Sequence, residues 1–421
     1  MAESAVSSSI TSRLHARVDA WLEPHIGLLA VLALVAGFIV RLAVARGRYL
    51  VGDEALDYLL VNQGSALEAY RASLTNAHPP LYYFVLYYSR FFGSSELMLR
   101  FPSVIAGTVM PWFAFLWLKR LGRETAFLAL LLLTFAPAFI TFSAEIRPYA
   151  FLLLFLTAAL WSLDRGFEKN SPRAMLLFGA FLCLANFTHY SAIWTTIAMG
   201  IYALARIFLG ELKQAAIFGW ITSQVCALIL LGFLWVTHIS KLRNDAIKSV
   251  AVNGWLRTEY FQPRENVLHF AMRATAHAFL YLLTRQTEIS VALFLLSVVI
   301  PIALVLFFVF GMALLLANRA GGNQPTACST RMFGVLMLLP FAIGWAGALL
   351  RLYPYGGSRH VAYLAPFAVA GIATSIAWLS RKAVWAGIVA TVALLLVCTM
   401  RVEPPSYIPR QIKRANGWRR R

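Results

Sequence analysis

Acidic residues are scarce in this chain, and their scarcity limits the kind of protein it can be. Only 18 of its 421 residues are Asp or Glu, against 37 Lys and Arg, and charged residues make up 13% of the total. Soluble domains carry about 25% charged residues, so the composition excludes a soluble globular fold. With 60% hydrophobic residues and a mean hydropathy of +0.69, the chain is instead typical of a protein embedded in lipid.

Cysteine is also rare, and its distribution excludes two kinds of site. The four cysteines are Cys183, Cys226, Cys328 and Cys398. Three of them lie inside apolar runs and one lies in a short loop, so the sequence contains neither a disulfide framework nor a zinc pattern.

Asp and Glu are also missing from the centres of the predicted membrane spans. Coupled transporters usually place ionisable residues or broken helices there, so this absence favours chemistry at the membrane surface.

The net charge of +19 has a different meaning here from the one it has in a soluble protein. Cytoplasmic loops of membrane proteins are enriched in Lys and Arg, which accounts for a large part of it. Anionic lipid head groups or phosphate-bearing substrates account for much of the rest. Because no soluble basic domain is present to carry nucleic-acid binding, we expect membrane lipids and no nucleic acid among the partners.

Long apolar runs recur along the whole chain, and their length predicts helices. A helix needs about 20 apolar residues to cross the hydrocarbon layer, and these runs are too long and unbroken for barrel strands. The sequence therefore predicts an all-α polytopic membrane protein with about eleven transmembrane helices. The runs lie at about 26–45, 101–118, 125–142, 148–163, 174–188, 190–209, 214–237, 289–317, 332–350, 360–379 and 383–400.

The distribution of basic residues predicts which polar segments share a side of the membrane. The segment 79–92 is aromatic and too short to span, which is typical of a helix lying in the interface. If it does not cross, most basic loops fall on the cytoplasmic side, as positively charged loops should. Four polar segments then lie together on the outer face: Asp53-Glu54, His78-Pro79-Pro80, Ser143 to Tyr149, and Tyr353 to His360.

This topology divides the chain into a cytoplasmic N-terminal segment at 1–24, a membrane domain at 25–400 and a short basic tail at 401–421. The first outer loop, 46–100, contains interfacial helices and forms the predicted active-site face together with the outer loop 238–288. The same count places the tail outside, although a basic tail favours the cytoplasm.

Asp53 and Glu54 are the acids that most need an explanation. They follow Gly52 and open a segment, Ala55–Ala69, that can form an amphipathic helix. Carboxylates in a first turn stabilise the helix dipole, which is one interpretation. The other is a general base that deprotonates an acceptor hydroxyl, with Asp57 as a weaker third candidate one turn further on.

Each of the other candidates likewise has a structural and a functional interpretation. His78 before two prolines fits a helix start, or an imidazole that donates a hydrogen bond to a phosphate or sugar oxygen. Arg359, followed by His360, fits an arginine that extends to the interface, or a cation that neutralises a departing phosphate. Glu145 and Arg147 either pair with each other or with lipid, or supply a second acid and a phosphate ligand.

Taken in order, these segments resemble the GT-C glycosyltransferases of the protein O-mannosyltransferase and lipid A aminoarabinose transferase superfamily. Their bacterial members include the Rgt-type galacturonosyltransferases that modify lipopolysaccharide. The resemblance covers residues 20–400. It rests on Gly52-Asp53-Glu54, His78-Pro79-Pro80-Leu81-Tyr82-Tyr83, Leu99-Arg100-Phe101-Pro102-Ser103, Ser143-Ala144-Glu145-Ile146-Arg147-Pro148-Tyr149, and Arg359-His360 with Pro366.

The resemblance implies a GT-C type helix bundle in the cell envelope, in a bacterial inner membrane with its active site facing the periplasm. It implies a hexosyl- or pentosyltransferase that uses a polyprenyl-phosphate sugar as donor and a lipid, glycan or protein as acceptor. Metal dependence stays open. By position, the implied catalytic residues are Asp53, Glu54 and Glu145, and the implied substrate-binding residues are His78, Tyr82, Arg147, Arg359 and His360.

Two rivals remain at this point. A transporter or flippase of lipid-linked sugars needs similar polar groups but no base, and a non-catalytic scaffold needs neither. The sequence does not name the sugar or the acceptor, and product formation separates the enzyme from both rivals.

Overall fold

The computed structural model of the protein describes residues 2–242, 252–284, 294–320 and 327–399. Within these ranges the fold is helical and contains no strand, which confirms the all-α prediction. The basic tail 401–421, the segment 243–251 and the side chains of Cys328 and Cys398 lie outside the described residues.

Sixteen α-helices of five residues or more follow one another along the described chain. The helices are α1 (Ala2–Arg46), α2 (Gly52–Val61), α3 (Ala66–Ser73), α4 (Leu81–Ser89), α5 (Glu96–Leu118), α6 (Arg123–Phe135), α7 (Pro137–Ser143), α8 (Tyr149–Lys169), α9 (Pro172–Thr188), α10 (Ala192–Phe208), α11 (Gln214–Leu234), α12 (Val267–Thr284), α13 (Phe294–Leu316), α14 (Ala327–Leu349), α15 (Ala365–Lys382) and α16 (Val384–Thr399). A π-helical turn, Trp235–Ile239, extends α11.

Within the described residues, every predicted apolar run coincides with a helix or with a pair of helices. Seven of these helices in the described ranges are long and apolar enough to cross a membrane, or eight if the bent pair α6 and α7 forms one span. Three more, in α9, α10 and α16, are apolar but only 10–17 residues long. The positions of the runs are thus confirmed, and the prediction of about eleven spans is not.

The bend between α6 and α7 measures 59° and has a local cause. Ala136 is extended and Pro137 occupies the first helical position, where proline fits because it lacks the N–H that would continue the preceding helix. The buried Arg41 of α1 donates to the freed carbonyls of Leu133 (3.0 Å) and Thr134 (2.9 Å). An arginine therefore occupies the break, and the chain after α7 turns toward the candidate site.

The first outer loop differs from the prediction in one respect. The single helix expected over 55–69 is two helices, because α2 ends at Val61 and α3 starts at Ala66. Ser65 causes the new start, since its hydroxyl accepts from the backbone N–H of Glu68 at 3.2 Å and so caps α3. The next helix, α4, has nine residues, about 14 Å at 1.5 Å per residue, and is too short to cross, as predicted.

The helix α15 is the most enclosed span, and its small residues explain why. Ala365 to Ala377 are all buried, and this segment is rich in Ala, Gly, Ser and Thr, which let membrane helices approach closely. The 3₁₀ turn Arg359–Leu364 leads into α15, so a fixed helix positions Arg359. Within the predicted outer loop 238–288, α12 forms a helix of 18 residues whose C-terminal half is buried.

Candidate active site

Three charged side chains from distant parts of the chain meet at the ends of α2, α7 and α15. The Asp53 carboxylate lies 2.6 Å from Arg359 Nη1 and 3.7 Å from Arg147 Nη2. Asp53 comes from the first turn of α2, Arg147 from the link between α7 and α8, and Arg359 from the turn before α15. The Asp53 side chain is 48% exposed, so an incoming molecule can reach it.

The two arginines control the charge of Asp53. Partial burial acts to raise the pKa of Asp53, but the charges of Arg359 and Arg147 and a hydrogen bond from Arg359 outweigh it. The pKa of Asp53 therefore lies below its usual value, as expected for a carboxylate beside fixed cations. At neutral pH the residue is an accessible carboxylate anion.

Asp57 is the second acid of the site, and it forms an ion pair with Arg147. Its carboxylate is fully buried and accepts from Arg147 Nη1 (2.9 Å), Asn76 Nδ2 (3.0 Å) and the Tyr83 hydroxyl (3.2 Å). Burial raises the pKa of Asp57 to about 6, although Arg147 and Tyr83 act to lower it. Sequence reasoning ranked Asp57 only third, because its burial depends on contacts made by other segments.

Glu54 points away from Asp53 and forms a buried junction. Arg100 donates to both of its oxygens, at 3.0 and 2.8 Å, and the backbone N–H groups of Ile146 and Val51 donate at 2.7 and 3.1 Å. These bonds use the four acceptor positions of the carboxylate. Glu54 thus ties α2 to α5 and to the link that carries Arg147.

Glu145 and Tyr82 lie outside the Asp53–Arg359 contact. The buried Glu145 carboxylate lies 3.7 Å from Arg48 Nη1. Tyr82 is buried in an apolar cluster, where its ring lies 5.9 Å from that of Phe151.

Two histidines lie close to Arg147, and their hydrogen bonds show which ring nitrogen of each one accepts and which carries the proton. Arg147 Nη2 lies 3.3 Å from His78 Nε2; since arginine only donates, this nitrogen accepts. The backbone N–H of Ser191 donates to His189 Nδ1 at 3.1 Å, so the proton of His189 resides on Nε2. Sequence reasoning missed His189, which follows the last turn of α9 without any distinguishing motif.

The His189 Nε2–H group is a buried donor without a partner in the described part of the chain, and so is Arg147 Nε. The rings of His78 and His189 lie 5.0 Å apart. Burial and then the surrounding cationic and imidazole groups hold the pKa of both histidines well below the usual value, so both are neutral at pH 7. An anionic ligand bound beside Arg359 would give both of these donors an acceptor.

The remaining polar side chains nearby belong to the segment before α15. The ring of His360 lies 6.0 Å from that of Tyr353 and 5.6 Å from that of Trp255. Among the described residues, no group of three or more His, Cys, Asp or Glu side chains is arranged to hold a metal ion.

The fold matches that of known proteins. A protein-family model described as dolichyl-phosphate-mannose-protein mannosyltransferase matches residues 77–236, a range that includes His78, Arg147 and His189. The solved structure of ArnT from Cupriavidus metallidurans bound to undecaprenyl phosphate is 17% identical, with a TM-score of 0.52, and the match covers 94% of this chain and 68% of ArnT. The chain has the GT-C fold.

Together, the family match and the fold confirm the resemblance to the GT-C superfamily of membrane glycosyltransferases. Two Archaeoglobus fulgidus structures also match at 13% identity: an oligosaccharyltransferase in its apo form, with a TM-score of 0.44, and AglB with an inhibitory peptide and a dolichol-phosphate, with a TM-score of 0.43. Each match covers 54% of the archaeal chain. No curated protein matches the sequence.

Proposed function

We propose that this GT-C protein transfers a sugar from a polyprenyl-phosphate donor to a hydroxyl group of a lipid, glycan or protein. The observation that carries this proposal is the accessible Asp53 carboxylate, held by two arginines beside unpartnered buried donors. Such a site combines a base with groups that bind phosphate. In this proposal residues 25–400 form the transferase domain, and its active site faces the periplasm of a bacterial inner membrane.

The phosphate of the donor binds to Arg359, Arg147 and the Nε2–H group of His189. Guanidinium groups match phosphate oxygens in geometry and charge. The unpartnered donors on Arg147 and His189 gain acceptors when a phosphate arrives. The same groups stabilise the charge that develops on the phosphate as the sugar leaves, which is the main electrostatic contribution to catalysis.

Donor binding also raises the pKa of Asp53. In the free protein Asp53 is the counter-ion of Arg359 at 2.6 Å. When the phosphate takes over this arginine, Asp53 loses an ion pair and gains a neighbouring anion, and both changes raise its pKa. A higher pKa makes Asp53 a better proton acceptor, so the donor prepares the base that the reaction needs.

The chemical step is a single displacement. The acceptor hydroxyl oxygen forms a bond to the anomeric carbon while the bond from that carbon to the phosphate oxygen breaks. The hydroxyl proton passes to Asp53, and polyprenyl phosphate leaves with the electron pair of the broken bond. Attack from the face opposite the leaving group inverts the anomeric configuration. Asp57 and Glu54 position Arg147 through the contacts described above, and Glu145 is a second acid next to this link.

The test is product formation by the purified protein. Wild-type protein is incubated with a panel of polyprenyl-phosphate sugars (mannose, galacturonic acid and aminoarabinose) and a membrane-extract acceptor fraction, and new glycosides are detected by mass spectrometry. We expect a new glycoside with the wild type and none with Asp53→Asn. If liposomes containing the protein move the lipid-linked sugar across the bilayer without forming a glycoside, the protein is a flippase and the proposal is wrong.

A further inference from the structure

A further buried carboxylate, Glu259, connects to the site through a serine and a histidine. The Ser358 hydroxyl donates to Glu259 Oε2, and Ser358 Oγ lies 2.9 Å from His360 Nδ1. The backbone joins the same two segments, because the N–H of Tyr355 donates to the carbonyl of Glu259 at 2.9 Å. Glu259, Ser358 and His360, called here the relay, therefore form one hydrogen-bonded chain that ends beside Arg359.

The relay determines which nitrogen of His360 carries the proton. An ionised carboxylate only accepts hydrogen bonds, so the single proton of the Ser358 hydroxyl points to Glu259. Ser358 Oγ must then accept from His360, which places a proton on Nδ1 and leaves a lone pair on Nε2. The described residues offer Nε2 no hydrogen-bond partner, and the ring is only partly buried.

We propose that Glu259 and Ser358 hold His360 in the Nδ1–H tautomer, so that its Nε2 accepts a hydrogen bond from a hydroxyl group of a saccharide bound at the site. Glu259 and Ser358 are positioning residues in this proposal, and His360 is the residue that touches the saccharide. The saccharide rests on the proposed function, whereas the tautomer of His360 does not.

The neighbours of His360 favour a sugar over a phosphate. A lone pair on Nε2 repels a phosphate oxygen but accepts from a hydroxyl. The Trp255 side chain is 61% exposed, and its ring lies 5.6 Å from that of His360. It offers an apolar surface of the kind found beside the few polar groups of ligand sites. His360 and Arg359 are adjacent in sequence, so the saccharide and phosphate positions adjoin, as they do in a sugar phosphate.

Protonation of Glu259 reverses the direction of the two hydrogen bonds in the relay. Burial raises the pKa of Glu259 to about 7, with Ser358 and Arg273 acting to lower it. Once protonated, Glu259 donates to Ser358, Ser358 donates to His360 Nδ1, and the proton of His360 moves to Nε2, which no longer accepts. The other charged or titratable groups that face the relay are Arg273, Tyr260 and His277 beside Glu259, and Arg359, Arg147, His189, His78 and Tyr353 beside His360.

The direct test is the ¹⁵N spectrum of histidine-labelled protein without substrate, with His360 assigned by its loss in His360→Asn. At pH 8.5 we expect the Nδ1–H tautomer, changing to Nε2–H as the pH falls through about 7. In Glu259→Ala the Nε2–H tautomer should appear at both pH values, and the control Glu68→Gln, at an exposed acid of α3, should behave as wild type. An Nε2–H tautomer of His360 in the wild type at pH 8.5 overturns the proposal.

Affinity measurements then test whether His360 recognises a hydroxyl group of the saccharide. Affinity is measured for bare decaprenyl phosphate and for decaprenyl phosphate carrying each sugar of the panel. In Glu259→Ala we expect unchanged affinity for the bare lipid, and a loss of roughly fivefold for whichever sugar-bearing lipid the wild type prefers, since one hydrogen bond is lost. Three results would each contradict saccharide recognition by His360. These are an equal loss of affinity for both lipids, no loss for either lipid, and a wild type that prefers no sugar-bearing lipid. Transfer activity that survives in those cases leaves the proposed function intact.

Discussion

If Asp53 is the counter-ion of the phosphate-binding arginines, Asp53→Asn should bind polyprenyl phosphate more tightly while losing transfer. The substitution keeps the shape of the side chain and removes its charge. Arg359, at 2.6 Å, and Arg147, at 3.7 Å, then no longer pair with a carboxylate at this position. An incoming phosphate no longer has to displace the carboxylate, and it meets no anion beside it.

The size of the effect follows from the exposure of the pair. Asp53 is about half exposed, so solvent screens it, and exposed ion pairs contribute only about 0.2–1 kcal/mol each. With the closer pair at about 1 kcal/mol and the longer one at about 0.5 kcal/mol, binding gains roughly 1.5 kcal/mol. This corresponds to about a tenfold lower Kd, and it should shrink at high ionic strength because salt screens exposed charges.

The assay is titration of the detergent-purified protein with decaprenyl phosphate, at low and high salt, for wild type, Asp53→Asn and Glu68→Gln. Glu68 is an exposed acid of α3 in the same outer loop, so its amide variant controls for the change in net charge. A purely catalytic base outside the phosphate site predicts unchanged affinity in Asp53→Asn. Unchanged or weaker binding in this variant therefore refutes the exchange of counter-ions.

Three further predictions concern the supporting residues. Glu54→Ala leaves the buried Arg100 unpaired, and removal of one partner of a buried pair destabilises by about 3–5 kcal/mol, so we expect a markedly lower Tm by thermal shift in detergent. Arg41→Met removes the donors at the α6–α7 break and should lower Tm by at least about 5 °C, whereas the exposed Arg46→Met should not. Because Asp57 is ionised only above its pKa of about 6 and holds Arg147 in that form, kcat/KM should fall as the pH drops through about 6, and this step should be absent in Asp57→Asn.

The fold and much of the site follow from patterns that survive in a single sequence. Apolar runs and their spacing locate the helices, since these features act over a few turns of chain. The basic residues of the loops predict that Asp53, His78, Arg147 and Arg359 share a side of the membrane, and the structure brings these four side chains together.

What sequence reasoning missed depends on tertiary contacts. Asp53 and Glu54 are adjacent and chemically similar, yet one is exposed beside two arginines and the other is consumed by Arg100 and backbone donors. Glu259 and His189 carry no local motif, because Ser358 and Ser191 give them their roles only after folding. The helix over 55–69 divides because Ser65 caps a new start, a local signal present in the sequence but outweighed there by the apolar pattern.

The central claim, that Asp53 is the base of a glycosyl transfer beside a phosphate site, is tested most directly by one comparison. Wild type and Asp53→Asn are purified in parallel, checked for equal Tm and for decaprenyl phosphate binding, and assayed for glycoside formation with the donor panel. We expect product from the wild type and none above background from Asp53→Asn, although the variant binds the lipid phosphate at least as well. Near-normal turnover by Asp53→Asn would contradict it.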